Sequence, residues 1–196
     1  MSKQVVLASN NSGKLTEITH ILSGANIELL PQSNFNVTEV EETGKTFVEN
    51  ALIKARHASA LSGKAAIADD SGIEVDVLNG APGIYSARYA GEGATDEDNL
   101  KLLIDKVLAS GVRNPVARYQ CVLVYLRHAD DPMPLIAEGT WEGHIVTEPV
   151  GENGFGYDPI FYVPDHHCTS AQLDPKEKNK ISHRGIALKK LADKIL

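Results

Sequence analysis

Apolar and polar positions along the chain switch repeatedly between a sheet rhythm and a helix rhythm. Val5 to Ala8 is a four-residue apolar run, the length of a short buried strand. From Gly13 to Ser23 the apolar residues Leu15, Ile18, Ile21 and Leu22 recur at helical spacing, and Gly24 supplies a stop. Strand, polar loop and helix therefore make the opening unit. Thr46-Phe47-Val48-Glu49 has the spacing of a capping box, in which the hydroxyl and the carboxylate satisfy each other's backbone donors. The helix it starts is predicted to reach Ser62, with Phe47, Ala51, Leu52, Ala55 and Ala58 inward and Gly63 beyond its end.

Ala65 to Ala68 reads as another short strand. A tight turn at Asp70-Ser71-Gly72 is predicted to follow, and then a strand in which Ile73, Val75 and Val77 alternate with Glu74 and Asp76. Thr95 caps a further helix with Leu100, Leu103, Ile104, Val107 and Leu108 on its apolar face, ended by Gly111. Tyr119 to Leu126 is almost wholly apolar, as a central strand buried on both faces is. Shorter strands are predicted at Leu135–Glu138, His144–Thr147 and Ile160–Val163, and a last helix from Ser182 carries Leu188, Leu191, Ala192 and Ile195 on one face. Helices and strands interleave, but several strands come in runs, so the class is α/β with a mixed central sheet flanked by helices.

Length and charge narrow the picture. The 196 residues, with no internal repeat or long linker, fit a single domain over 1–196. The 42% apolar and 23% charged residues are those of a globular protein that needs no disulfide or structural metal to hold its core. The net charge of −7 argues against nucleic-acid partners, whose phosphates demand lysine and arginine. Cys121 and Cys168 set no disulfide framework, and Cys121, in an apolar run, is expected as a buried thiol. No signal peptide or 18-residue apolar span is visible, so a cytoplasmic protein without membrane partners is expected.

Five segments carry candidate chemistry. Ser9-Asn10-Asn11-Ser12-Gly13-Lys14 joins the first strand to the first helix; backbone N–H groups, the helix dipole and Lys14 suit a phosphate there. It is not a Walker A loop, because Ala8 and Leu15 stand where that pattern needs glycine and Ser/Thr. Its bland alternative is an ordinary polar cap. Asp69-Asp70-Ser71-Gly72 sets two carboxylates side by side at a strand end, suited to a hard cation such as Mg²⁺, or else to an Asx-turn. Alternation along a strand sends one of the two toward a site and the other toward backbone or solvent. Glu41-Glu42-Thr43-Gly44-Lys45 offers a second metal carboxylate or simply acidic residues ahead of a helix. Asn50, Lys54 and His57 form a polar stripe on that helix, from which Lys54 reaches a phosphate or solvent.

Gly151 to Pro159 places three glycines around Phe155 and Tyr157, a backbone open to a flat ligand with an aromatic to stack on it; a hairpin loop with core aromatics is the alternative. Lys178 and Ser182-His183-Arg184 bring basic groups to the last helix start, for phosphate or polar recognition or as solvated residues. His166-His167-Cys168 has no third patterned ligand and reads as a loop. Taken together, the five segments describe a site for a nucleotide with its metal.

In combination these motifs resemble the inosine/xanthosine triphosphate pyrophosphatase family. The matching stretches, in family order over nearly the whole chain, are residues 9–14, Glu41-Glu42-Thr43-Gly44, Phe47 to Ala51, Lys54-Ala55, Ala68 to Gly72, Gly80 to Arg88, Gly154 to Pro159 and Ser182-His183-Arg184. The resemblance implies an elongated two-lobed fold with the active-site cleft between the lobes, a homodimer and Mg²⁺ dependence. It implies hydrolysis of deaminated purine nucleoside triphosphates (ITP, dITP, XTP) to the monophosphate and pyrophosphate. Asp70 would be catalytic base and metal ligand, with Glu41 as second metal carboxylate. Substrate contacts are implied for Ser9, Asn10, Asn11, Ser12, Gly13, Lys14, Lys54, Ser71, Phe155, Gly156, Tyr157, Asp158, Lys178, His183 and Arg184. Ser9-Asn10 stand where some relatives have Thr-Gly, and Glu142 follows Trp141 where a proline is frequent in a loop. The competing readings are a septum-associated pyrophosphatase for pyrimidine or methylated nucleotides and a nucleotide-binding module without catalysis.

Overall fold

Strand and helix alternate through the first half of the computed structural model, which describes residues 3–9, 12–22 and 27–195. Strand β1 (Lys3–Leu7) leads to helix α1 (Ser12–Leu22) and strand β2 (Ile27–Pro31). Asn10, Asn11 and the predicted stop at Gly24 lie outside the described residues. Helix α2 (Phe47–Ser62) starts at Thr46, whose hydroxyl accepts from the Glu49 N–H at 3.3 Å. The Glu49 carboxylate accepts from the Thr46 hydroxyl and from the Lys45 N–H, one residue earlier than the reciprocal box requires. Strand β3 (Ala65–Val75), helix α3 (Asp96–Ser110), strands β4 (Val116–Leu126), β5 (Leu135–Ile145), β6 (Phe161–Val163) and β7 (Cys168–Thr169), and helices α4 (Pro175–Ile181) and α5 (His183–Ile195) complete the order.

The strands form one sheet in the order β2-β1-β3-β4-β5-β6-β7. β1 runs parallel to both β2 and β3, whereas β6 is antiparallel to β5 and to β7. The sheet is therefore mixed and the class α/β, as the interleaving predicts.

Two predicted breaks are absent. Asp70-Ser71-Gly72 forms no turn; it lies inside the eleven-residue β3, which has β1 and β4 as its neighbours in the sheet. β1 pairs only with Ala65 to Ile67, and the strand continues through these residues with β4 as its other neighbour, against the local turn preference of Asp, Ser and Gly. The two short strands predicted between Leu135 and Thr147 are one strand, β5, with alternate residues from Ala137 to Ile145 buried. Gly143 within it is a packing residue: a Cβ there would lie 2.5 Å from the Tyr162 carbonyl oxygen and 2.6 Å from the Phe161 ring. Glu142 consequently stands on a strand, ion-paired with Arg118 at 3.0 Å, and not in a loop. On α3, Leu103 and Val107 are buried as expected, but Leu108 is 60% exposed.

The chain divides into two compact units, Met1–Asp70 with Cys121–Gly139 and Arg184–Leu196, and Ser71–Gln120 with Thr140–His183. β3, β4 and β5 each contribute residues to both. In the first unit strand parity builds two apolar layers. Val5, Leu7, Ile67 and Leu123 pack with Ile18 and Leu22 of α1 and Leu188 and Leu191 of α5. Val6, Ala66, Ala68 and Val124 pack with Ala51, Ala55 and Ala58 of α2. The second unit closes over Ile73, Val75, Leu103, Val107, Tyr119, Trp141, Ile145 and Phe161. Cys121 is a buried free thiol, its pKa pushed up to about 12 by burial. Among the described residues no helix is long and apolar enough to cross a membrane.

Candidate active site

In the first unit the chemistry grows out of β3. Successive strand residues point to opposite faces, so Asp69 follows Ile67 toward α1 and α5 while Asp70 follows Ala68 toward α2. Neither carboxylate turns to backbone or solvent; Asp69 is 1% exposed and Asp70 6%. Asp69 Oδ2 meets Lys14 Nζ of α1 at 2.8 Å and Arg184 of α5 at 3.6 Å. Asp70 Oδ1 accepts from Lys54 Nζ of α2 at 2.8 Å, and the same ammonium reaches Glu42 at 2.7 Å.

The two neighbours titrate in opposite directions. Burial works to raise the Asp69 carboxyl, but the charges of Lys14, Arg184 and Lys54 overcome it and hold it well below the ordinary carboxylate range. At Asp70 burial prevails over the close ammonium of Lys54 and the weaker pull of Lys14, with Glu42 adding to the rise, and the carboxyl sits above its ordinary value. Burial acts to lower the Lys54 ammonium, but Asp70, Asp69 and Glu42 together raise it. A pair of carboxylates pushed apart in this way supplies one fixed anion and one group able to take up a proton. Asp70 Oδ2 is buried and has no hydrogen-bond partner among the described residues.

Glu42 owes its place to Asn50, one helical turn before Lys54. The fully buried Asn50 accepts from the Gly44 N–H through Oδ1 at 2.8 Å. Residue 44 must be glycine for this approach, because a Cβ would lie 2.6 Å from both Asn50 Oδ1 and Glu49 Cβ. His57, the third member of the polar stripe, hydrogen-bonds Thr38 through Nε2. Glu41, the predicted metal carboxylate, is exposed; Glu42 is the one brought to Lys54 and Asp70. Ser9 and Lys14 are half-buried, and Ser12 and Gly13 open α1, so the predicted phosphate loop does end at a helix N-terminus.

In the second unit Asp158 is the hub. It is 2% exposed; Oδ2 accepts from Lys178 Nζ at 2.5 Å and the Phe155 N–H at 2.9 Å, and Oδ1 accepts from the Ser170 hydroxyl at 2.6 Å. Lys178 is buried, not solvated, and its ammonium lies 5.3 Å from the centre of the Phe155 ring. His183 stacks on Tyr119 with centroids 4.6 Å apart and planes 8° from parallel, with Trp141 beyond at 6.4 Å. Phe155 is half-buried, whereas Tyr157 is a core residue whose hydroxyl donates to the Ser86 carbonyl. Gly156 donates its N–H to Asp96, and Ser71 is half-buried on β3.

Sequence reasoning named the Glu41-Glu42 segment but singled out Glu41 and not Glu42, and it missed Ser170 and the Tyr119–Trp141 support of His183. Ser170 had a local signal, because Thr169 and Gln172 have capping-box spacing and form that box here. The other two depend on contacts across the fold. Among the described residues no three His, Cys, Asp or Glu side chains converge as a metal cage.

A family model described as the Ham1 family matches residues 5–194. The chain is 58% identical over 190 residues to a dITP/XTP pyrophosphatase of Shewanella oneidensis, with 96% of this chain and 92% of the relative covered. It is 57% identical over 189 residues to a dITP/XTP pyrophosphatase of Vibrio parahaemolyticus, covering 96% and 94% of the two chains. The solved structure of a HAM1 protein from Coxiella burnetii matches with a TM-score of 0.93 at 50% identity over 98% of both chains. That of the Staphylococcus aureus Ham1 protein gives 0.86 at 43%, again over 98% of both.

Proposed function

The chain belongs to the Ham1 family, and from that premise we propose that it clears deaminated purine nucleoside triphosphates from the nucleotide pool before they enter DNA or RNA. It is a nucleoside triphosphate pyrophosphatase: ITP, dITP or XTP and water give the monophosphate and pyrophosphate. The observation that carries the mechanism is Asp70, buried on β3 with one oxygen on Lys54, the other without a hydrogen-bond partner among the described residues, and its carboxyl held above the ordinary range.

The donors fit a hard cation. Asp70 Oδ2 is an orphaned carboxylate oxygen, and the nearby acidic groups, Glu42 in place and Glu41 exposed beside it, add only oxygen. Mg²⁺ held by Asp70 and a carboxylate of the Glu41-Glu42 pair would neutralise phosphate oxygens and stabilise the pyrophosphate leaving group. The chain's own residues do the rest. The α1 N-terminus with Ser9 to Gly13, together with Lys14 and Lys54, binds the triphosphate. Asp70 orients water and takes its proton as the oxygen attacks the α-phosphorus; the bond to the bridging oxygen breaks, and pyrophosphate leaves. Phe155 stacks on the purine, while Gly156, Tyr157, Asp158, Lys178, His183 and Arg184 shape and read its edge, with Ser71 a further substrate contact. Hypoxanthine and xanthine share a 6-oxo acceptor that adenine lacks, and guanine carries a 2-amino donor that a pocket can leave unpaired. A homodimer working in the cytoplasm without nucleic-acid or membrane partners completes the proposal, supported by the resemblance and the acidic net charge.

Hydrolysis of ITP in ¹⁸O-labelled water, followed by ³¹P NMR, tests the chemistry. Label in inosine monophosphate beside unlabelled pyrophosphate is expected; inosine diphosphate with orthophosphate, or label in pyrophosphate, would contradict it.

A further inference from the structure

Asp70 accounts for one carboxylate of the adjacent pair and leaves Asp69 without a task. We propose that Asp69 is a positioning residue: it holds Lys14 for the phosphates and Arg184 for the base on one shared anion, and it is not a ligand of the metal. This rests on the pyrophosphatase reading given above. Three separate elements of the first unit meet at one atom, Asp69 Oδ2 of β3, with Lys14 Nζ of α1 at 2.8 Å and Arg184 of α5 at 3.6 Å. The side chains of Asp69 and Arg184 are almost fully buried, and that of Lys14 is 18% exposed.

Packing alone does not explain such a cluster, because apolar side chains of similar volume fill a core without the desolvation cost of buried charges. Strand parity also separates the two aspartates. Asp70 and its unpartnered Oδ2 face α2, whereas Asp69 faces α1 and α5, so one cation cannot engage both carboxylates while β3 stays regular. What Asp69 does provide is a fixed meeting point for two cations that would otherwise repel each other and swing apart.

Asp69→Asn keeps the volume and removes the anion. The expected result is a KM for ITP raised at least ~10-fold, equivalent to ~1.4 kcal/mol, with kcat within about threefold. The ITP/GTP ratio of kcat/KM should fall, and the Mg²⁺ concentration for half-maximal activity should be unchanged. Lys14→Met added to Asp69→Asn should cost far less than Lys14→Met alone, because both act through one contact. An unchanged or lowered KM, multiplicative losses in the double variant, or a raised Mg²⁺ requirement would overturn the inference. Wild-type protein that fails to release pyrophosphate from ITP would instead sink the parent reading. Should Asp69→Asn not fold, a wild-type crystal structure with the α,β-imido analogue of ITP and Mg²⁺ decides. Lys14 and Arg184 both on Asp69, with the metal on Asp70, support the inference; the metal on Asp69, or Lys14 detached from it, refutes it.

Discussion

Gly154 and Gly156 both adopt left-handed backbone, with φ of +80° and +60°, but only the first stands against the Asp158 network. A Cβ at 154 would lie 2.0 Å from Asp158 Oδ2, 2.9 Å from its Cγ and 3.1 Å from Lys178 Nζ, whereas one at 156 meets nothing within 4 Å. Alanine at 156 therefore adds only left-handed strain, ~1–2 kcal/mol, or a fall in Tm of about 2–8 °C for a chain of this length. Alanine at 154 adds the same strain and must also push Asp158 off Lys178 and the Phe155 N–H. Breaking a buried ion pair costs ~3–5 kcal/mol, so the total reaches up to ~4–7 kcal/mol and a Tm fall of up to about 8–28 °C. Movement of the exposed loop from Gly151 sets this as an upper bound, but it would displace Phe155 and so shift the loss into substrate binding. Thermal melts and KM for ITP on both variants separate the cases. The expected pattern is a KM raised at least ~10-fold for Gly154→Ala and less than about threefold for Gly156→Ala. Equal effects of the two substitutions, or a milder one at 154, would show that the Asp158–Lys178 contact does not organise the base pocket.

Three other outcomes follow from the proposed chemistry. Asp70→Asn removes the proton acceptor at constant volume and leaves Lys54 its Glu42 partner, so kcat should drop at least ~10²-fold while circular dichroism stays unchanged; near-normal kcat in the folded variant would remove Asp70 from its role. Excess EDTA should abolish turnover and Mg²⁺ restore it, because the donor set is all oxygen; full activity in EDTA contradicts the metal assignment. Sedimentation at micromolar concentration should give twice the 21.1 kDa chain mass; a single species at the chain mass would contradict the homodimer.

How far the sequence revealed the fold depended on whether the signal was local. The caps at Thr46 and Thr95, the helical stripes of α2, α3 and α5, and the apolar run of β4 rest on neighbours within a turn or two, and these elements stand where the pattern put them. Gly72 misled because a glycine in an Asp-Ser-Gly run reads as punctuation until its surroundings are known, and it lies inside β3. β2 and α4 passed unnoticed, since α4 carries no apolar stripe and is held by Pro175 and the Asp174 cap. Of the candidate site, Lys14, Lys54, Asp70, Asp158, Lys178, His183 and Arg184 were picked out from the sequence as residues. Which cation meets which carboxylate was not, because that follows from the parity of β3 and the docking of Gly44 on Asn50.

Selectivity among purine triphosphates is the claim on which the account stands, and kcat/KM for ITP, XTP, GTP and ATP under one set of conditions measures it directly. A stacking aromatic holds every purine alike, so discrimination has to come from hydrogen bonds to the base edge, where an unpaired buried group separates substrates by up to ~10⁴-fold or more. The account predicts ITP and XTP far ahead of both common nucleotides. Values for GTP or ATP within about tenfold of ITP, a gap of only ~1.4 kcal/mol, would contradict it and leave a general nucleotide pyrophosphatase.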